Sequence, residues 1–181
     1  MQINRSSSKR GLLIFMLGSF ISQINAQDSL LIRSHITKMN NAKTYTLQVA
    51  DLMPENLYGY KPVESEMSFK EQLIHIGKNL YWLSSTYINE TDDPVKKMEL
   101  NADSLTKVQV LNFVSEAYEY AVSSFRAVDA TSLSKEFKWS GGKMNKIQFM
   151  NLIHDHQTHH RGQLIVYLRL NKLQPPRYTG W

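Results

Sequence analysis

Apolar positions recur at three- and four-residue intervals through four stretches of the chain, the pattern of helices that bury one face. The first spans residues 29–53 and stops at Pro54, where a connection over residues 55–67 is broken by Gly59 and Pro62. The second opens at Ser68, which stands with Glu71 in the S-x-x-E spacing of a capping box. Its stripe is Phe69, Leu73, Ile76, Leu80, Leu83 and Tyr87, and Asp92, Asp93 and Pro94 follow its end. A third helix is expected from Asp103 to about residue 128, through Val108, Leu111, Val114, Tyr118, Val122 and Phe125. Ser140, Gly141 and Gly142 then form a turn, and a fourth helix runs from near Asn145 to about Lys172. Strand-like alternation is confined to residues 137–139. Four long amphipathic segments, with no internal repeat, predict an all-α fold, a four-helix bundle with long connections. Such bundles build metal sites between facing helices.

The N-terminus departs from this pattern. Arg5, Lys9 and Arg10 precede an apolar run over residues 11–21, and Ala26 ends a cleavage site, so residues 1–26 read as a signal peptide and residues 27–181 as one exported domain, periplasmic or secreted. A run of about 11 residues is short of the roughly 20 that span a bilayer, so no stable membrane insertion is expected after cleavage. The absence of cysteine excludes disulfides, thiolate ligands and a cysteine nucleophile. The formal charge of +5 loses three cations and no acid with the leader, leaving +2, which gives no ground for nucleic-acid binding. No apolar stripe must face solvent, and homodimerisation is left open.

Chemistry concentrates in the fourth helix, where His154, His156, His159 and His160 fall within seven residues. At about 100° per residue, His156 and His160 share a face with Phe149, Ile153, Gln163 and Tyr167, whereas His154 points nearly opposite. Two imidazoles at i and i+4 lean the same way and can reach one ion. On an apolar face, each also needs a hydrogen bond or a metal to offset desolvation. His159 lies about 60° from His156 and is either a supporting group or solvated. A zinc peptidase would place glutamate after the first histidine; Gln157 stands there and cannot act as a base. His75 is the natural third ligand, but it sits at the edge of its stripe, and periodicity does not choose it over His35.

The string His156-Gln157-Thr158-His159-His160-Arg161-Gly162-Gln163, followed by Tyr167-Leu168-Arg169, resembles the last helix of DinB-like proteins, which carries H-x-x-H-H-R-G-Q and then Y-L-R. Residues 52–62 resemble that family's linker, and Leu73-Ile74-His75-Ile76 resembles its second helix. The resemblance implies a four-helix bundle in which three histidines from two helices bind a divalent metal, here His75, His156 and His160. Zinc or nickel heads the candidates. Relatives with assigned activities include thiol-dependent S-transferases and isomerases, so the resemblance also implies a small-molecule substrate and a thiol cosubstrate. An exported protein lacks the thiol pool of the cytoplasm, and a metal-dependent transferase or hydrolase acting on a small electrophile fits that compartment. The alternative is a non-catalytic metal-binding module.

Around the triad, Arg161 and Gln163 are read as groups orienting ligands or an incoming anion, or else as solvated. Trp82, Tyr58, Tyr60 and Trp181 are read as core before they are read as a pocket over the metal.

Overall fold

A computed structural model describes the backbone of residues 7–98 and 100–181, and side chains from residue 29 onward apart from residue 99. The expected leader, residues 1–26, lies outside the residues described with side chains. Helix α1 is Ser7–Leu52. It ends where Pro54, which has no N–H to give, caps a single 3-10 turn over Glu55–Leu57. The Lys107 ammonium donates to the carbonyl of Met53 at 3.1 Å, satisfying an acceptor at that helix end.

Helix α2 is Phe69–Leu83, and its cap is the expected one: the Ser68 hydroxyl accepts from the Glu71 N–H, and the Glu71 carboxylate accepts from the Ser68 N–H at 2.7 Å. Phe69, Leu73, Ile76, Leu80 and Leu83 are all buried as the stripe predicts. The helix continues as a π-helical extension over Ser84–Asn89 and breaks at Glu90, which adopts a left-handed φ of 61°. Buried Lys146 closes that end, donating to the Ile88 carbonyl at 2.8 Å and pairing with Glu90 at 3.0 Å.

Helix α3 is Lys107–Ala127, four residues later than expected. Asn101 first caps a separate 3-10 turn at Ala102–Ser104, and the helix proper starts at a second capping box made by Thr106 and Gln109. Val108 is consequently 64% exposed, and the buried face is carried by Val110, Val114, Ala117, Tyr118, Ala121 and Phe125. The brief alternation at residues 137–139 belongs to a hairpin, β1 (Glu136–Trp139) antiparallel to β2 (Gly142–Asn145), with Phe137 opposite Met144. Gly141 turns it at a φ of 83°, where a side chain would be strained. Helix α4, Lys146–Leu170, starts at an Asn145/Gln148 capping box.

The four helices close a ring: α1 and α2 each pack on both α3 and α4. The core inside includes the apolar Leu73, Ile76, Val114, Phe125, Phe149 and Leu164, each at 0% exposure, beside buried polar residues such as Thr46 and Gln157. Burying each such apolar side chain contributes about 1.5–3 kcal/mol. Among the described residues, no helix is long and apolar enough to cross a membrane.

Candidate metal centre

Helices α2 and α4 run antiparallel: contacts pair Tyr167 with Met67, Gln163 with Gln72, His156 with His75, and Phe149 with Tyr87. Halfway along this seam His75, His156 and His160 converge. Their ring centroids lie 4.9 Å (His75–His156), 4.5 Å (His75–His160) and 4.5 Å (His156–His160) apart. One nitrogen from each lies within 4.8 Å of the others, a group that could hold a metal ion.

The protonation chemistry suits that task. The Nε2 atoms of His75 and His156 stand 3.1 Å apart. Two nitrogens bound tetrahedrally to one zinc would be about 3.3 Å apart. Without an ion, one of the two must carry a hydrogen, because facing lone pairs repel. His160 Nδ1 lies 2.5 Å from the Gln72 side-chain oxygen. A carbonyl only accepts, so Nδ1 carries the hydrogen and Nε2 keeps its lone pair for a ligand bond. Gln72, 1% exposed, donates in turn to Gln163, and Gln163 reaches His159 Nε2 at 3.0 Å. Burial, and then the charges of neighbouring histidines, push His156 and His160 down to about 4. Burial, and then the charge of Lys78, lowers His75 as well. All three are therefore neutral at pH 7, the form that binds metals.

The sequence pattern placed His156 and His160 on the core side of α4 and His154 opposite. The structure reverses this: His154, Gln157 and Arg161 are buried, while His156 and His160 are half-buried on the flank facing α2. The buried arc centres near Gln157, so polar residues that read as surface occupy the bundle interior. His35 is not near the triad; it stacks on His154 with centroids 5.1 Å apart, both edged by Phe125. Neither His154 ring nitrogen has a well-formed hydrogen bond, and the His35 backbone offers only a marginal contact.

Arg161 is neither solvated nor aimed at the triad. It is 5% exposed, bonds to Gln157, Thr46 and Thr158, and lies 5.2 Å above the Tyr45 ring. Gln157, besides being unable to act as a base, knits this network by accepting from Tyr118 at 2.9 Å and donating to the His154 carbonyl. Gln163 does support the triad, through Gln72, and exposed His159 stands outside the three-histidine group. Tyr58 is core, its hydroxyl bonded to the Ala50 carbonyl at 2.8 Å, and Tyr60 packs on Tyr167. Trp181 is 73% exposed, with Lys38 above its ring. Trp82 is the exception among the aromatics, lining a groove with His75. The sequence places Gln72 one turn before His75 on the same edge of α2, but periodicity alone assigns it no role.

The family model of the DinB family matches residues 29–180. The uncharacterized protein YjoA of Bacillus subtilis strain 168 is 26% identical over 142 residues, 75% of this chain and 86% of YjoA. The crystal structure of that DinB-like protein superposes with a TM-score of 0.63 at 20% identity, over 80% of this chain and 96% of that one. A DinB-like protein from Bacillus cereus ATCC 10987 superposes with a TM-score of 0.68 at 14% identity, over 81% and 97% of the two chains. With a four-helix fold shared with both structures and a family match running from the first described side chain almost to the C-terminus, this chain belongs to the DinB family.

Proposed function

We propose that this is an exported metalloprotein in which His75, His156 and His160 hold one divalent ion, zinc or nickel, and that it acts as a metal-dependent transferase or hydrolase on a small electrophile. The observation that carries the reading is the convergence of three half-buried, neutral imidazoles with two Nε2 atoms 3.1 Å apart. When bound by three neutral nitrogens, a divalent ion keeps open positions and its full charge, and so supplies Lewis acidity to a water or a thiol. The protein's own part is to hold the ligands. Gln72 fixes the His160 tautomer, and the packed α2–α4 seam sets the spacing of the three rings. The chain has no cysteine, so any thiol is a cosubstrate. Export favours water over a cytoplasmic thiol.

Elemental analysis of the full chain after loading and gel filtration tests the site. One ion per chain is expected, lost in His156→Ala and in His160→Ala; equally tight binding by those variants would overturn the assignment. A second reading, a metal-binding module without catalysis, draws on Glu71. This carboxylate, one turn before His75, is committed to the α2 cap and so is not free to serve as a base. Full occupancy without turnover in a screen of small esters, epoxides and halides, with and without added thiol, would favour that reading.

A further inference from the structure

A groove of about 310 Å³ opens beside His75, lined among others by Lys78, Trp82, Asp93, Lys96 and Met98. A second, of about 390 Å³, lies on the other side of the same His75–Lys78 pair. Lys78 is half-buried, yet it forms none of the ion pairs found among the described residues; nor does Lys96. Asp93, the acid that lines this groove among the described residues, accepts from the Val95 N–H at 3.0 Å and is part of the loop's own structure. A partly desolvated ammonium with no carboxylate partner among the described residues favours an anion.

Trp82 supplies the second half of the groove. It is 38% exposed and stands in an aromatic wall with Trp139 at 5.8 Å and Tyr87 at 6.1 Å. Lys78 and Trp82 follow His75 by one and two turns of α2, about 4.5 and 10.5 Å along the axis. The order from the triad outward is therefore cation, then exposed aromatic face. We propose that this groove is the substrate site, and that it takes a small planar apolar molecule bearing one anionic group, the anion on Lys78 and the ring along Trp82. The end of the molecule next to the anion then faces the three histidines. This inference rests on the metal-site reading for its chemistry, but binding in the groove is a property of Lys78 and Trp82.

Calorimetric titration of the full chain with 2-naphthoate and with neutral 2-naphthamide, each with and without zinc, tests it. The carboxylate is expected to bind at least tenfold more tightly than the amide. Lys78→Met is expected to abolish that preference while leaving amide affinity unchanged. Trp82→Ala is expected to weaken both ligands, with Trp82→Phe restoring most of the loss if the smaller residue disturbs folding. Equal affinity for the two probes, or naphthoate binding that follows zinc and ignores Lys78→Met, would overturn the proposal; the latter would mean direct ligation by the metal. Lys78-dependent binding by a protein that retains no metal would uphold the groove and sink the metalloprotein reading instead.

Discussion

The Gln72 side-chain oxygen stands 2.5 Å from His160 Nδ1, joining one turn of α2 to a candidate ligand on α4. This contact leaves His160 only one nitrogen with which to bind an ion, and aims it at His75 and His156. Gln72→Leu keeps the volume and removes the acceptor. Metal affinity is expected to fall about 10–100-fold, with the helical circular dichroism unchanged. Competition against a chromophoric chelator measures it; an unaltered affinity would show that the bundle, and not Gln72, sets the ring.

His159 on α4 and His75 on α2 make separable predictions. His159 is exposed; it meets the His160 ring edge-to-face at 5.0 Å and bonds to Gln163, but stands outside the three-histidine group. His159→Ala is therefore expected to keep one metal per chain, with affinity within a few-fold of the parent, whereas His75→Ala loses stoichiometric metal. If elemental analysis found His159→Ala as depleted as His75→Ala, the three-residue assignment would have to include a fourth group.

Helix existence was legible because amphipathic spacing is a local consequence of burying one face, and the Ser68/Glu71 cap was legible because both partners lie within one turn. The start of α3 was not, because Asn101 and Thr106 are both competent caps, and the structure uses each for a different turn. The buried face of α4 was misread for a tertiary reason. Gln157 and Arg161 are polar, and only partners on other helices, Tyr118 on α3 and Thr46 on α1, make their burial tolerable. The pairing of His156 with His160 followed from spacing. The choice of His75 over His35 followed from family resemblance; in the structure His75 sits beside His156 and His160, and His35 lies in another seam, stacked on His154.

That interior network predicts a stability effect distinct from metal binding. Among the described residues Arg161 has no ion-pair partner, and its guanidinium satisfies Gln157, Thr46 and Thr158. Arg161→Met keeps much of the stem's packing but leaves buried acceptors unmet, at a cost on the order of 1–3 kcal/mol. Urea denaturation is expected to show a lower midpoint with an unchanged slope, and the zinc-loaded variant to retain one ion per chain. A loss of zinc without a loss of stability would move Arg161 from the interior framework to the metal site.

The depressed histidines give stability a pH dependence whose sign is fixed. His156 and His160 are held down to about 4 and His154 to about 3, against 6.5 for an ordinary imidazole, and burial is the first cause in each case. Below pH 6.5 the unfolded chain takes up protons that the folded chain refuses until about pH 4, so the unfolded state gains as pH falls. The melting temperature of the metal-free protein is expected to be level above pH 7 and to decline from about pH 6.5 to about pH 4. That decline begins above the range where Glu71, Glu90 and Asp129, whose carboxyls are held below their ordinary values, would contribute. Zinc held by the proposed triad is expected to raise the curve at neutral pH, since it would bind only the folded state. Because the folded ligands resist protonation, the gap between loaded and metal-free curves is expected to persist to about pH 5 and to close near pH 4. Scanning calorimetry across this range checks both statements: a metal-free curve level down to pH 4.5 would contradict the buried neutral histidines, and a gap that closes by pH 6.5 would show ligands that titrate as ordinary, solvated imidazoles.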